Sequence, residues 1–365
     1  MVSFSSRIQS GDRFSSACSC HRGAVFCDDE GMQAPVVDVH SHIVLPEVLA
    51  LLERDGAAYQ TRIVERDGQR LFLIAETATR PINARILGLD DGAARLADMQ
   101  AQGIDSEVVS CVPFVMYPGV DEQRALAIAQ THNDAMSAFA SRQPDRFVGM
   151  ASVPMQAPAM AATELERAAK LGLRGVMIPP SVQGQALDEG QFEVFWAAAE
   201  ALDMPVFIHP FEAAPTGVLA RYNLGNLVGN LTDTGTAAAA IICGGVLERH
   251  PGLRVLLAHA GGTLPALLGR IDSVFPRDRE MQARLARPPS TYISQLWLDT
   301  IAFNGPFLRS LMSLLGVDRF VLGSDYPVGG PANPVAEVTT LCLAPDDEAA
   351  VLRSNAARLL GGLES

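Results

Sequence analysis

Val37-Asp38-Val39-His40-Ser41-His42 reads as a short apolar strand that closes on two histidines. Working outward, seven more short apolar runs follow: Ser106–Val112, Arg146–Val153, Arg174–Ile178, Val206–His209, Arg254–His259, Ser294–Asp299 and Phe320–Ser324. With Val36–His40 they make eight strand candidates. Most are preceded by alanine-rich amphipathic runs such as Ala159–Leu171, Phe192–Leu202, Ala237–Glu248 and Phe307–Leu315. Continuous apolar strands separated by helices indicate a parallel sheet buried on both faces. Eight such units in 365 residues indicate an α/β fold of the (β/α)8 TIM-barrel type. A doubly wound sheet would carry a glycine-rich phosphate turn after an early strand, and none is present.

Three segments depart from the repeat. Roughly 60 residues separate the first two strands, and within them Arg62–Ile74 reads as a hairpin about Asp67-Gly68. We expect a small insertion over about residues 55–90. The segment Phe211–Thr236, which includes Asn223-Leu224-Gly225-Asn226-Leu227-Val228-Gly229-Asn230, is rich in Gly, Asn and Thr. A mobile active-site loop and a plain surface loop fit it equally. Residues 1–33 form an N-terminal extension ahead of a barrel spanning 34–365. Its Cys18-x-Cys20-His21 and Cys27 are compatible with a small metal site, a lid or a disordered start.

Composition narrows the function. Hydrophobic residues are 48% of the chain, enough for a large core. The net charge of −13 argues against a nucleic-acid or anionic-membrane surface, because phosphate binding needs clustered cations. No apolar run reaches the ~20 residues of a membrane span. Residues 1–32 lack a signal-peptide core, so a cytoplasmic location is expected. The six cysteines show no disulfide framework. Lys170 is the only lysine, so any mechanism that needs a lysine has only this one to use.

The chemistry is signalled by position. Of seven histidines, four close strands: His40 and His42 the first, His209 the fifth, His259 the sixth. Asp325 closes the eighth, in Leu322-Gly323-Ser324-Asp325-Tyr326-Pro327. The C-terminal strand ends of a barrel meet at one face, so these five residues converge. His40 and His42, two apart, point to the same side of a strand and can share a metal. Three histidines with one carboxylate suit Zn2+ or Mn2+. Each motif alone is weak, since a lone strand-end histidine is usually a satisfied polar group. His132, inside the helical run Ala125–Ala140, reads as structural or surface. His250, before Pro251-Gly252, reads as a helix C-terminal residue.

These motifs resemble the amidohydrolase superfamily, in the branch of aminocarboxymuconate semialdehyde decarboxylase. The resemblance covers about Val36–Gly362. It is carried by Asp38-Val39-His40-Ser41-His42-Ile43, Arg95-Leu96-Ala97-Asp98-Met99 with Gly103-Ile104-Asp105, and Pro144-Asp145-Arg146-Phe147-Val148-Gly149. Gly172-Leu173-Arg174-Gly175-Val176, Phe207-Ile208-His209-Pro210, Ala258-His259-Ala260-Gly261-Gly262 through Gly269-Arg270, and the Asp325 turn complete it. The resemblance implies that His40, His42, His209 and Asp325 ligate one divalent metal, with His259 off the metal as acid/base. It implies that Arg95 holds a substrate carboxylate and that Arg270 reaches a neighbouring subunit's active site in a homodimer or higher oligomer. For Arg270, a helix-surface ion pair is the alternative. The carbamylated lysine of many binuclear relatives has no counterpart, because the fourth strand ends Met177-Ile178-Pro179-Pro180. Two departures alter the pocket wall: Val328-Gly329-Gly330 where an aromatic residue is frequent, and Ala260 where glycine is frequent.

The resemblance implies a metal-dependent, non-oxidative decarboxylase acting on a small aromatic or unsaturated carboxylic acid. The metal would be Zn2+ first and Mn2+ second. Hydrolysis of a lactone, ester or C–C bond, or hydration, is the alternative within the superfamily, with Asp325 helping to deprotonate a metal-bound water. A non-catalytic binding barrel is disfavoured by the full ligand set.

Overall fold

The computed structural model describes residues 34–74, 78–87, 92–116, 119–211 and 216–362. The extension, with Cys18, Cys20, His21 and Cys27, lies outside the described residues. Eight barrel strands run in chain order: β1 Val37–Ile43, β2 Ser106–Cys111, β3 Phe147–Gly149 continued by Ala151–Ser152, β4 Val176–Ile178, β5 Val206–Ile208, β6 Val255–Leu257, β7 Leu296–Asp299 and β8 Phe320–Val321. Their helices are α1 Ala93–Gln102, α2 Glu122–Arg142, α3 Pro158–Lys170, α4 Glu193–Ala201, α5 Asn230–Cys243, α6 Leu264–Val274, α7 Gly305–Leu315 and α8 Asn355–Leu359.

Every neighbouring pair is parallel, from β1–β2 and β2–β3 through β7–β8. β3 changes partner at Met150, whose N–H bonds Val109 O at 2.8 Å while Ala151 N–H bonds Gly175 O at 2.7 Å. The last strand returns to the first. Val39 N–H bonds Leu322 O at 2.9 Å, Asp325 N–H bonds His40 O at 2.7 Å, and Ser41 and Tyr326 form a parallel bridge. The chain is therefore a closed (β/α)8 TIM barrel.

The barrel strands are buried. All seven residues of β1 are buried, including Asp38, His40, Ser41 and His42. Helices begin where the sequence supplies caps. Asp121 accepts from Arg124 N–H at 3.0 Å ahead of α2, and Asn304 accepts from Phe307 N–H at 3.1 Å ahead of α7. α2 turns Ile128, His132, Met136 and Phe139 onto the barrel.

The insertion contains the expected hairpin, Thr61–Arg66 against Gln69–Ile74. Asp67 and Gly68 both sit at positive φ, 52° and 73°, the combination a two-residue hairpin turn needs. A third antiparallel strand, Ala78–Pro81, was not anticipated.

The segment 216–236 differs from the loop expected. Gly217–Ala220 and Gly225–Gly229 are helical turns, and the second runs directly into α5. Weak helix formers there suggest a loop. Tertiary packing overrides them only within α5, where Thr234, Gly235, Ala237, Ala238, Ile241 and Ile242 are buried, whereas the two turns before it bury no residue. A Cβ at Gly235 would lie 2.2 Å from Thr263 Oγ1, so glycine permits this close approach. Among the described residues, no helix is long and apolar enough to cross a membrane.

Candidate metal centre and active-site cavity

One donor atom from each of His40, His42, His209 and Asp325 lies within 4.8 Å of the others. β1 supplies the first two. A register shift between Asp38 and Ser41 interrupts the simple alternation there, a device that re-aims side chains. The two imidazoles still converge, Nε2 to Nε2 at 3.1 Å, with ring planes at 87°. His209 follows β5 directly. Asp325, at φ 55°, is the first residue of the turn that closes the barrel, and its Oδ1 lies 3.1 Å from His42 Nε2 and 3.4 Å from His40 Nε2.

Hydrogen bonding assigns the tautomers. His40 Nδ1 faces Asp299 Oδ2 at 2.7 Å, His42 Nδ1 faces Cys111 O at 3.0 Å, and His209 Nδ1 faces Pro210 O at 2.9 Å. All three partners are acceptors, so each Nδ1 carries the proton and donates it. Each Nε2 lone pair is then aimed into the cluster, and that of His209 has no partner at all. Three lone pairs and a carboxylate crowding one buried point fit a divalent cation.

The titration shifts agree. Burial pushes the His40 imidazole down, but Asp299 and Asp325 outweigh it and hold it up to about 10. Burial depresses His42, and burial with the neighbouring histidine charges drives His209 well below the ordinary range. Burial alone would raise Asp325, but His259, His40 and His42 pull its carboxyl well below the carboxylate range. Without a cation, the cluster keeps a proton on His40. A divalent cation bound there would displace that proton.

His259 stands beside this group and outside it. Its Nε2 is 4.0 Å from Asp325 Oδ2, its Nδ1 has no partner, and its side chain is 14% exposed to the cavity. The cavity has a volume of about 140 Å³. Its lining joins His209, His259 and Asp325 to Val112, Pro113 and Phe114 after β2, and to Pro81, Asn83 and Ile86 from the insertion. Asn226, Asn230, Pro327 and Val328 complete the wall.

Arg95 requires a correction. It is expected at the substrate, but it is 1% exposed and absent from the cavity lining. Its guanidinium donates to Glu107 Oε2 at 2.6 Å and to the His42 carbonyl, and stacks 4.8 Å from the Tyr326 ring centroid. It therefore braces the strand of His42 and the turn of Asp325 from behind. Arg270 is exposed on α6, away from the cavity lining, and no ion pair engages it among the described residues. His132 is a buried core residue whose Nε2 faces Met150 O at 3.3 Å. His250 caps a short helix between Glu193 and Glu200.

Asp299, the last residue of β7, was missed as a functional residue. Its carboxylate accepts from four donors: His40 Nδ1 at 2.7 Å, His259 N–H and Ala260 N–H at 2.8 Å each, and Ile301 N–H at 3.0 Å. It fixes the His40 tautomer and the backbone that carries His259. The signal was available, since a carboxylate at the end of a barrel strand points to the same rim.

Fold and site together define a metal-dependent barrel enzyme. The family profile described as Amidohydrolase matches residues 37–362, and the chain belongs to that family. Over 240 residues it is 35% identical to a 2-amino-3-carboxymuconate-6-semialdehyde decarboxylase of Dictyostelium discoideum, covering 65% of this chain and 67% of that one. Over 300 residues it is 28% identical to the gamma-resorcylate decarboxylase of Rhodococcus jostii, covering 76% and 89%. A crystal structure of a variant 5-carboxyvanillate decarboxylase from Novosphingobium aromaticivorans, with bound manganese, superposes with a TM-score of 0.74. Identity there is 25%, with 90% of this chain and 97% of that chain covered. With these relatives, the chain is a metal-dependent carboxy-lyase of the non-oxidative type.

Proposed function

We propose that this enzyme removes CO2 from a small aromatic or unsaturated carboxylic acid, with His259 moving the proton. The observation that carries this reading is the placement of His259: on the cavity wall, beside the four-donor cluster, with its Nε2 4.0 Å from Asp325 Oδ2 and a partly exposed side chain. His40, His42, His209 and Asp325 would hold a divalent cation, which would supply Lewis-acid polarisation of a substrate oxygen. The apolar wall of Val112, Pro113, Phe114 and Ile86 accommodates a flat ring or conjugated chain. In the reaction the carboxyl carbon leaves as CO2, its bonding electrons stay on the substrate carbon, and a proton delivered by His259 takes its place. Asp299 holds the His259 backbone so that the imidazole faces the cavity.

Zinc follows from the imidazole-rich donor set, and manganese is its competitor because a solved relative holds it. Arg270, exposed and without an ion pair among the described residues, is proposed to serve the site of a second subunit in a homodimer.

His259→Ala is expected to abolish CO2 release while metal content stays near one per chain. Loss of metal in that variant would make His259 a ligand and sink the assignment. Mixing His259→Ala with Arg270→Ala subunits should regain activity, because one hybrid site holds both intact residues. No regain would remove the shared-site role of Arg270.

A further inference from the structure

Asp325 is a non-glycine residue at φ 55°, and such backbone persists only where its neighbours fix it. Its own N–H bonds the His40 carbonyl at 2.7 Å. The next residue, Tyr326, carries further restraint. Its N–H donates to Ser324 Oγ at 3.0 Å, and its carbonyl accepts from His42 N–H at 2.7 Å. Its side chain meets helix α1, where Arg95 and Asp98 are three residues apart and share a face. The Arg95 guanidinium lies 4.8 Å from the Tyr326 ring centroid, and the phenol hydroxyl donates to Asp98 Oδ2 at 2.7 Å. Arg85 Nε donates to the same oxygen at 2.6 Å, which fixes the acceptor in turn. Tyr326 is absent from the cavity lining, so any effect it has on the site acts through its neighbours.

We propose that Tyr326 is a positioning residue for the metal centre: α1 grips it through Arg95 and Asp98, and the grip holds the Asp325 carboxylate in place against His42. A metal site needs its donors held within about 0.5 Å of the bound geometry. The backbone bond from His42 N–H to the Tyr326 carbonyl joins the turn to β1 at one point, and a single bond leaves the turn free to pivot about it. The ring and the hydroxyl add holds a side-chain length away, on a different element, and so stop the pivot. Arg95 also donates to the His42 carbonyl, so one helix restrains both ligand-bearing segments. The hydroxyl bond contributes position more than stability. The Asp98 side chain is 26% exposed, so water can replace a lost phenol partner and the fold is spared the cost of a buried unpaired carboxylate. Outer groups that orient metal ligands, by contrast, are felt directly in metal affinity.

The test uses the full-length protein and reads Zn2+ affinity by competition with a chromophoric chelator. Tyr326→Phe keeps the ring under Arg95 and removes only the hydroxyl. It should weaken Zn2+ binding roughly 10-fold while the urea midpoint of the metal-free protein stays at the wild-type value. Asp98→Ala should weaken binding by a similar factor. The double variant should lose no more than either single change, because both remove the same bond. Asp98→Glu, which keeps a carboxylate acceptor, should lose less than Asp98→Ala. Wild-type affinity in Tyr326→Phe overturns the proposal, whether or not the midpoint falls, because the hydroxyl is then structural only. Losses that add in the double variant overturn it as well, since the two residues would then act separately. No substrate enters this assay, so its outcome is separate from that of the decarboxylase reading, which CO2 release by the wild type decides.

Discussion

Arg95 and Glu107 form a pair with both side chains almost fully excluded from water, 2.6 Å apart. Arg95→Met leaves the Glu107 carboxylate buried without its cation, a change that costs about 3–5 kcal/mol. The urea midpoint is therefore expected to fall sharply. An arginine gripping substrate would instead raise KM and leave the midpoint unchanged, and that result would restore the role expected from its motif. At this scale, legibility depended on position along the chain. His40, His42, His209 and Asp325 could be found because each ends a recognisable strand. The duties of Arg95 and Asp299 could not, because they depend on which distant group each one meets. Asp299 finds His40 across 259 positions.

The turn between β6 and α6 holds four successive residues at positive φ: His259 at 56°, Ala260 at 53°, Gly261 at 80° and Gly262 at 58°. Asp299 holds the first two by their N–H groups. Such backbone persists only where the surroundings over-determine it, and it concentrates at functional sites. At Gly262 a Cβ would lie 2.2 Å from the Leu231 carbonyl oxygen, against the start of α5. Gly262→Ala should cost about 2–5 kcal/mol from strain and overpacking, read as a lower unfolding midpoint. Gly269→Ala in α6, where a Cβ meets nothing within 4 Å, is the control and should be neutral or slightly stabilising. A tolerated Gly262→Ala would show that this turn yields. Among elements, all eight strands were legible from their apolar runs. The helical turns of 217–229 were not, because their Gly- and Asn-rich sequence has weak helix propensity and they bury no apolar residue that would mark a helix face.

The barrel as a whole brings its first strand and the turn after its last strand together at the metal centre. Because the four donors belong to β1, β5 and the turn after β8, a cation there ties distant segments and should stabilise the folded state by mass action. Stripping the metal with a chelator is expected to abolish turnover and lower the thermal midpoint. Added Zn2+ or Mn2+ should restore both, by about 4 kcal/mol at 1,000-fold excess over Kd. His209→Ala should lose that response. A midpoint indifferent to chelation would count against a metal held at this site.

What the sequence determined by itself was the repeat and the rim. Eight buried apolar strands between amphipathic helices close into one barrel, and residues at their ends must gather at one face. Both facts follow from local periodicity and chain direction, which are written in consecutive residues. What only the tertiary structure decided was pairing. The carbonyls of Cys111 and Pro210 choose the tautomers of His42 and His209. Glu107 takes Arg95 away from the cavity, and the insertion and the run before α5 supply the cavity's walls. Those partners are fixed by register and by barrel closure, as in Val39 against Leu322, and such long-range geometry leaves no mark in neighbouring residues.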